Sequence, residues 1–266
     1  LSGILTLAAF LGTSFEGQAQ SYIFIPDSPH YTETFNGLTP GSPITSIDWT
    51  NTQGNVVGAA SSDPEYPGSI YITNSVSTQN QVTSTSLPLS DLPSSSVYYV
   101  SGYFYRNGAN SGGRVLLRLD QSANYVGGFG IDSNGNFVLY SDSLHVSALP
   151  PVNTKQWYEI AFVVALNEAD ITQSKGYLFY RNVTAGETEF TLVDDLSGIL
   201  LGYTESHNFS DFARWRIEGI RNSARIGEMK VGTGTLQVIP EAGTTVLILS
   251  VLTVGGVHVA RRKRRS

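Results

Sequence analysis

The sequence predicts an all-β fold, a two-sheet antiparallel jelly-roll sandwich with one apolar segment at each end of the chain. Three observations carry this reading. Short strand-like runs recur through the body with turn residues between them. No stretch of the body shows helical periodicity. The composition also favours half-buried strands and tight turns, with 27 Gly, 14 Tyr and a single Met among 266 residues. With 41% hydrophobic residues the chain can bury a sizeable core, and its 14% of charged residues is low for a cytosolic protein.

The expected strands lie at 69–73, 97–106, 114–120, 125–132, 136–141, 157–166, 176–181, 190–193, 214–221 and 225–231. In the third of these, Val115, Leu117 and Leu119 fall on one face and Arg114, Leu116, Arg118 and Asp120 on the other, the alternation of a half-buried strand. Residues 167–174 have room for one helical turn on a loop. The sharpest local signal is Asp132-Ser133-Asn134-Gly135-Asn136 between two apolar runs. An Asn-Gly pair there calls for a tight hairpin, because both residues tolerate positive φ. Asp132, Asn134 and Asn136 also offer oxygens at alternate positions, so a calcium loop is the alternative. The downstream Glu of an EF-hand is missing from it.

This many strands without a fixed repeat period indicate two packed sheets. The order of Val97–Phe104, the 114–120 strand, the Phe129–Tyr140 hairpin, the Trp157-Tyr-Glu-Ile160 start and the pair 217–220 and 225–228 resembles the laminin-G-like and concanavalin-like jelly rolls of bacterial surface proteins. The resemblance spans roughly residues 31–233 and implies a sandwich of the kind that holds sugars and also hosts glycoside hydrolases and polysaccharide lyases.

Charge is unevenly placed. Between Gln20 and Val238 there are 11 basic and 20 acidic side chains, whereas Arg261, Arg262, Lys263, Arg264 and Arg265 crowd the last six positions. An acidic body repels phosphate backbones, so nucleic acid is excluded as a partner. The chain has no Cys, which rules out disulfides and thiolate metal sites and suits a bacterial exported protein of this size.

Both ends look like targeting segments. Residues 1–15 are apolar but too short to span a bilayer. Gly17 and Ala19 then fit the −3 and −1 positions of a signal-peptidase site, with the mature chain starting at Gln20. The leader lacks an initiator Met and a basic start, and is read as truncated. Residues 242–260 are nearly continuous apolar sequence of bilayer-spanning length, interrupted only by His258 as an ionisable group. The basic run at 261–265 holds that end inside.

Ile239-Pro240-Glu241-Ala242, followed by a single apolar helix and an Arg-rich end, resembles the PEP-CTERM sorting signal of Gram-negative bacteria. Ala242 stands where that family has its second Pro. The resemblance implies an inner-membrane intermediate, an exosortase-like processing enzyme as partner, and final residence at the cell surface or in an exopolysaccharide matrix. The expected organisation is a leader at 1–19, the sandwich at 20–235, a linker with the sorting motif at 236–241, the membrane helix at 242–260 and the basic tail at 261–266.

Catalytic motifs are missing. The three-carboxylate strand of laminarinase-type sandwiches finds only Glu168-Ala-Asp170 and Glu187-Thr-Glu189, each one acid short. Asp194-Asp195 reads as a solvated turn. His30, His145, His207 and His258 have no partners at metal-ligand spacing, and there is no Gly-x-Ser-x-Gly elbow. The expectation is a non-catalytic protein without a required cofactor, calcium being the one candidate ion. Trp49, Tyr66, Tyr125 and Trp215 are the candidate aromatics for glycan stacking, while Trp157 is expected in the core. The sequons at Asn182 and Asn208 are read as chance.

Overall fold

A computed structural model describes residues 20–35, 49–53, 55–58, 70–73, 80–84, 92, 95–96, 97–106, 108, 112–119, 125–203, 212–220 and 224–239. Of these, 49–84, 116–126, 212–216, 218–220 and 224 are described by their backbone only. The sandwich occupies Ile23–Gln237. The terminal unit, Leu1–Tyr22 with Val238–Ser266, contributes only 20–22 and 238–239 to the described residues. The expected leader helix and membrane helix therefore lie outside them. Among the described residues, no helix is long and apolar enough to cross a membrane.

Seventeen strands are described: β1 Ser21–Pro26, β2 Tyr31–Glu33, β3 Trp49–Gln53, β4 Asn55–Gly58, β5 Ile70–Thr73, β6 Asn80–Ser84, β7 Val97–Arg106, β8 Gly112–Leu119, β9 Tyr125–Ile131, β10 Phe137–Tyr140, β11 Leu144–Val146, β12 Trp157–Ala165, β13 Lys175–Asn182, β14 Thr191–Leu192, β15 Ile199–Leu200, β16 Phe212–Ile220 and β17 Ala224–Ile239. One sheet has the order β14-β13-β12-β7-β17-β5-β4, with β1 and β2 also on β17 and β15 also on β13. The other has the order β11-β10-β9-β8-β16-β6-β3. The pairs β12–β7, β12–β13, β8–β9 and β8–β16 that centre these sheets are antiparallel. The two-sheet antiparallel sandwich is as the alternation predicts. The sequence reading missed the short strands β1 to β4, β6, β11 and β15, and β17 runs on to Ile239, into the segment read as a linker.

The core lies between the sheets. From β12 it takes Tyr158, Ile160, Phe162 and Val164, and from β7 Tyr98, Val100 and Phe104. The facing sheet supplies Val115, Phe129, Ile131, Phe137, Leu139 and Ile217. Phe129 and Phe162 stack across the interface at 6.2 Å between ring centroids, at an interplanar angle of 21°. Two glycines make room for this pair: a Cβ on Gly127 would come within 2.8 Å of the Phe162 ring, and one on Gly176 within 2.9 Å. Close packing of this kind leaves no slack for an added methyl.

The sheets are also clamped at one end. Arg106, the last residue of β7, is buried and donates from Nη1 to the Val152 carbonyl at 2.9 Å and from Nη2 to the Asn134 carbonyl at 2.8 Å. Asn134 sits in the β9–β10 turn of the opposite sheet, so one guanidinium ties the hairpin of one sheet to a strand of the other. The expected helical turn at 167–174 is the 3-10 turn Ile171–Gln173, capped by the Asp170 side chain.

Candidate functional site

β12 is apolar on both faces except at one position. Tyr158, Ile160, Phe162 and Val164 face the core, so Trp157, Glu159, Ala161 and Val163 fall on the other face of the ten-stranded sheet. Glu159 is the one carboxylate of this strand and is only 2% exposed. Burying an ionised carboxylate is costly unless it is paired and hydrogen-bonded, and three neighbouring strands supply the partners. Register sets Glu159 opposite Tyr103 of β7 on one side and Arg181 of β13 on the other. Arg181 donates to Glu159 Oε2 from Nη2 and, at 2.8 Å, from Nε. Ser101 Oγ donates to Oε1 at 3.0 Å, and Lys230 Nζ of β17 stands 3.5 Å from the same oxygen.

The cluster extends outward from this carboxylate. Lys230 Nζ donates to the Tyr103 hydroxyl at 3.1 Å and lies 4.9 Å from the centroid of that ring. It also pairs with Glu228 at 3.1 Å. Arg181 stacks on the Phe190 ring at 4.9 Å and donates from Nη1 to the Thr188 carbonyl at 2.7 Å. Tyr99, next along the same face of β7, donates to the Asp27 carbonyl at 3.3 Å, and its ring meets Phe24 edge-on at 5.4 Å. The result is a row of phenols and two fixed cations over one buried acid.

The protonation states follow from these contacts. Burial works against the charge on Lys230, but Glu159, Tyr103 and Glu228 outweigh it and hold the ammonium above its ordinary range. Burial, with Glu159 beside it, raises the Tyr103 phenol. Burial likewise pushes Tyr99 up to about 12, with Lys230 opposing the shift and Glu159 and Asp27 adding to it. At neutral pH the cluster therefore offers hydrogen-bond donors and cations. Neither phenol is poised to abstract a proton.

The residues singled out from the sequence fall elsewhere. Asp132 spends both carboxylate oxygens on its own turn: Oδ1 accepts from the Asn134 and Asn136 backbone N–H groups, each at 2.8 Å, and Oδ2 from Asn136 Nδ2 at 3.1 Å. Arg106 holds the Asn134 carbonyl, a cation already in place. Among the described residues, no group of three or more His, Cys, Asp or Glu is arranged to hold a metal. The hairpin is also of a different type from the tight turn expected. Gly135 N–H bonds the Asp132 carbonyl at 3.1 Å, and Asp132 N–H bonds the Asn136 carbonyl at 2.9 Å. Gly135 alone takes positive φ, at 93°, which makes a type I turn closed by a glycine bulge.

Trp49 lies in β3, Tyr125 in β9 and Trp215 in β16, but their side chains, and all of Tyr66, lie outside the described residues. Trp215 has the register parity of buried Ile217. Gly17, Ala19, Pro240, Glu241, Ala242 and the basic tail at 261–265 also lie outside, and Ile239 closes β17. Trp157 is buried as expected, at 1% exposed, yet on the Glu159 face of its strand, 5.2 Å from the Tyr105 ring. Asp195 is more than a solvated turn: it accepts from Ser147 Oγ at 2.7 Å and from the Ala148 N–H. Asn182 Nδ2 is occupied by Gln156 at 2.7 Å, so that sequon is closed in the folded chain.

Ser141, Asp142 and His145 do meet in the β10–β11 turn. Ser141 Oγ donates to Asp142 Oδ1 at 2.9 Å and lies 3.1 Å from His145 Nε2. Ser143 Oγ likewise donates to Asp142 and lies 3.3 Å from Nε2. Both hydroxyls donate to Asp142, and which partner donates between His145 Nε2 and the serines depends on the imidazole tautomer.

Glu159, Arg181 and Lys230 were not found from the sequence, because no motif joins positions on three strands. The usable signal was a single carboxylate inside Trp157-Tyr-Glu-Ile-Ala-Phe-Val-Val-Ala165.

No family model matches the chain, and no curated protein matches it. Among solved structures the chain is similar to the PL-14 alginate lyase of Aplysia kurodai, at 10% identity over 78% of this chain and 100% of that one, with a TM-score of 0.51. A protein of unknown function with a galectin-like fold from Bacillus subtilis matches at 9% identity over 80% of this chain and 99% of that one, with a TM-score of 0.44. The galectin LEC-6 of Caenorhabditis elegans matches at 13% identity over 83% and 99%, with a TM-score of 0.31. At such identities the first likeness is one of fold, and the strand order makes that fold a two-sheet antiparallel β-sandwich.

Proposed function

We propose that this chain is an exported, non-catalytic jelly-roll protein of the cell surface or extracellular matrix that binds carbohydrate, and that a PEP-CTERM-like tail sorts it there. The observation that carries the binding reading is the Tyr103–Lys230–Arg181 cluster, held in place by Glu159 on an otherwise apolar strand. Phenol and ammonium groups are donors that sugar hydroxyls and ring substituents use. Export rests on the two apolar ends, with the inner membrane and an exosortase-like enzyme as the partners in transit.

The test is a glycan array probed with the full chain in detergent micelles, with and without calcium. Binding to a defined glycan class, lost in Tyr103→Ala and unaffected by chelation, is the expected result; an empty array ends the reading. One observation favours a second reading, a structural or adhesive matrix protein without a small ligand. The charged groups of the cluster neutralise one another, as a purely architectural network does.

A further inference from the structure

We infer that Lys230 takes a carboxylate of an acidic sugar polymer, and that the Glu228 side chain occupies the ligand carboxylate's place on Lys230 in the free protein. This rests on the carbohydrate reading above and names its ligand class. The two cations do not share one fate. Arg181 is committed inward, with Nε and Nη2 on Glu159 and Nη1 on the Thr188 carbonyl. Lys230 faces both ways, toward Glu159 at 3.5 Å on the inside and Glu228 at 3.1 Å on the outside. The inner carboxylate is 2% exposed and fixed, whereas Glu228 is 36% exposed and is the one exchangeable acid of the cluster.

The local backbone places it there. The register of β17 against β7 shifts between Ile226 and Met229, two residues that both face the core. Gly227 and Glu228 form the irregularity between them, and a bulge of this kind re-aims a side chain. Gly227 is packed hard, since a Cβ there would meet Tyr103 Cβ at 3.2 Å and the Trp157 ring at 3.4 Å. The bulge thus presents Glu228 to the ammonium of Lys230, two residues on. An ion pair open to solvent on its Glu228 side is weak and screened by salt, so a polymer carrying many carboxylates displaces it at small cost. A neutral sugar offers the Lys230 ammonium no anion in exchange for Glu228 and leaves Glu228 where it is. Glu228 is then a specificity-determining residue, a tethered competitor that sets the threshold for acidic ligands.

The experiment measures equilibrium binding of the full chain, in detergent micelles, to oligogalacturonate, oligomannuronate and oligoguluronate, and to methyl-esterified oligogalacturonate as the uncharged control. At least one acid form is expected to bind about ten-fold or more tightly than the ester, the size of a hydrogen bond to a charged group. Glu228→Gln is expected to tighten acid binding about two- to five-fold, the size of an exposed ion pair, and to leave the ester unchanged. Lys230→Gln is expected to erase the acid preference; if circular dichroism shows that this variant is unfolded, Glu228→Gln decides alone. Equal binding of acid and ester overturns the inference and leaves carbohydrate binding standing. Unchanged or weaker acid binding in Glu228→Gln overturns the role of Glu228 as competitor. No binding of any of the four, with an empty glycan array, overturns both readings together.

Discussion

At the scale of single residues, the cost of burying Glu159 sets the energetics of the ten-stranded sheet's second face. Arg181, Ser101 and Lys230 converge on its carboxylate from three strands. Removing the acid alone strands two cations that are 25% and 19% exposed. Glu159→Ala is therefore expected to cost about 3–5 kcal/mol, the loss that follows when one partner of a buried pair is deleted. Replacing Glu159, Arg181 and Lys230 together by Met is expected to cost far less, because no unpaired charge is left behind. Urea midpoints of the two variants check the contrast. The phenols and the ammonium also fix a pH dependence. The folded values of Tyr99, Tyr103 and Lys230 all lie above their ordinary ones. Each group therefore stabilises the fold fully below its ordinary value, 10.0 for the tyrosines and 10.5 for the lysine, and loses that contribution as pH rises through the folded value. The melting temperature is expected to be flat through neutral pH on their account and to fall above about pH 10, with Tyr99 completing its share near 12. A pH series of thermal melts, with phenolate absorbance read in parallel, measures both.

At the scale of elements, the β9–β10 hairpin shows what local sequence can and cannot specify. Gly135 carries φ of 93°, and a Cβ there would sit 2.2 Å from Arg106 Nη1. Gly135→Ala is thus expected to cost about 1–3 kcal/mol through backbone strain alone, and more if Arg106 is pushed from the Asn134 and Val152 carbonyls. Calcium is expected to leave the melting temperature of the wild type unchanged, since the Asp132 oxygens already serve the turn; a calcium-dependent rise is the contrary result. The hairpin was legible because Asn134-Gly135 stands between two apolar runs, and β7 and β12 because their runs are long and apolar. β1 was not, because Phe24 is buried while Ile23 and Ile25 are exposed, the reverse of what residue type alone suggests. The Glu159 cluster was illegible for a different reason. Glu159 lies 58 residues from Ser101 and 22 from Arg181, and only strand pairing brings them together. Sequence pattern reports which face a residue takes, and register decides whom it meets there.

At the scale of the whole molecule, the export reading makes a prediction about where the chain ends up. The apolar stretch at 242–260 has the length of a hydrocarbon core, and five basic residues follow it directly. Carrying five consecutive cations across a bilayer is costly, so the expected state is a helix stopped in the inner membrane, with the body outside and 261–265 in the cytoplasm. On that reading Pro240 is expected to bar the helix from extending upstream, with Glu241 at the outer water interface within reach of a processing enzyme. Deleting 242–266 is expected to release the body as an exported soluble protein. Changing Pro240 and Glu241 together is expected to leave the full chain held in the membrane, and fractionation with mass spectrometry of the C-terminus distinguishes the two. Processed protein ends before the apolar stretch, whereas a mature C-terminus beyond Arg261 means that the helix is kept and that the tail anchors without sorting. Ala242, in the place of the second Pro of the signal it resembles, makes Ala242→Pro the informative variant. If the missing Pro limits recognition, this substitution raises the processed fraction without altering export of the body. If processing stays nil in Ala242→Pro as well, the tail is an anchor only.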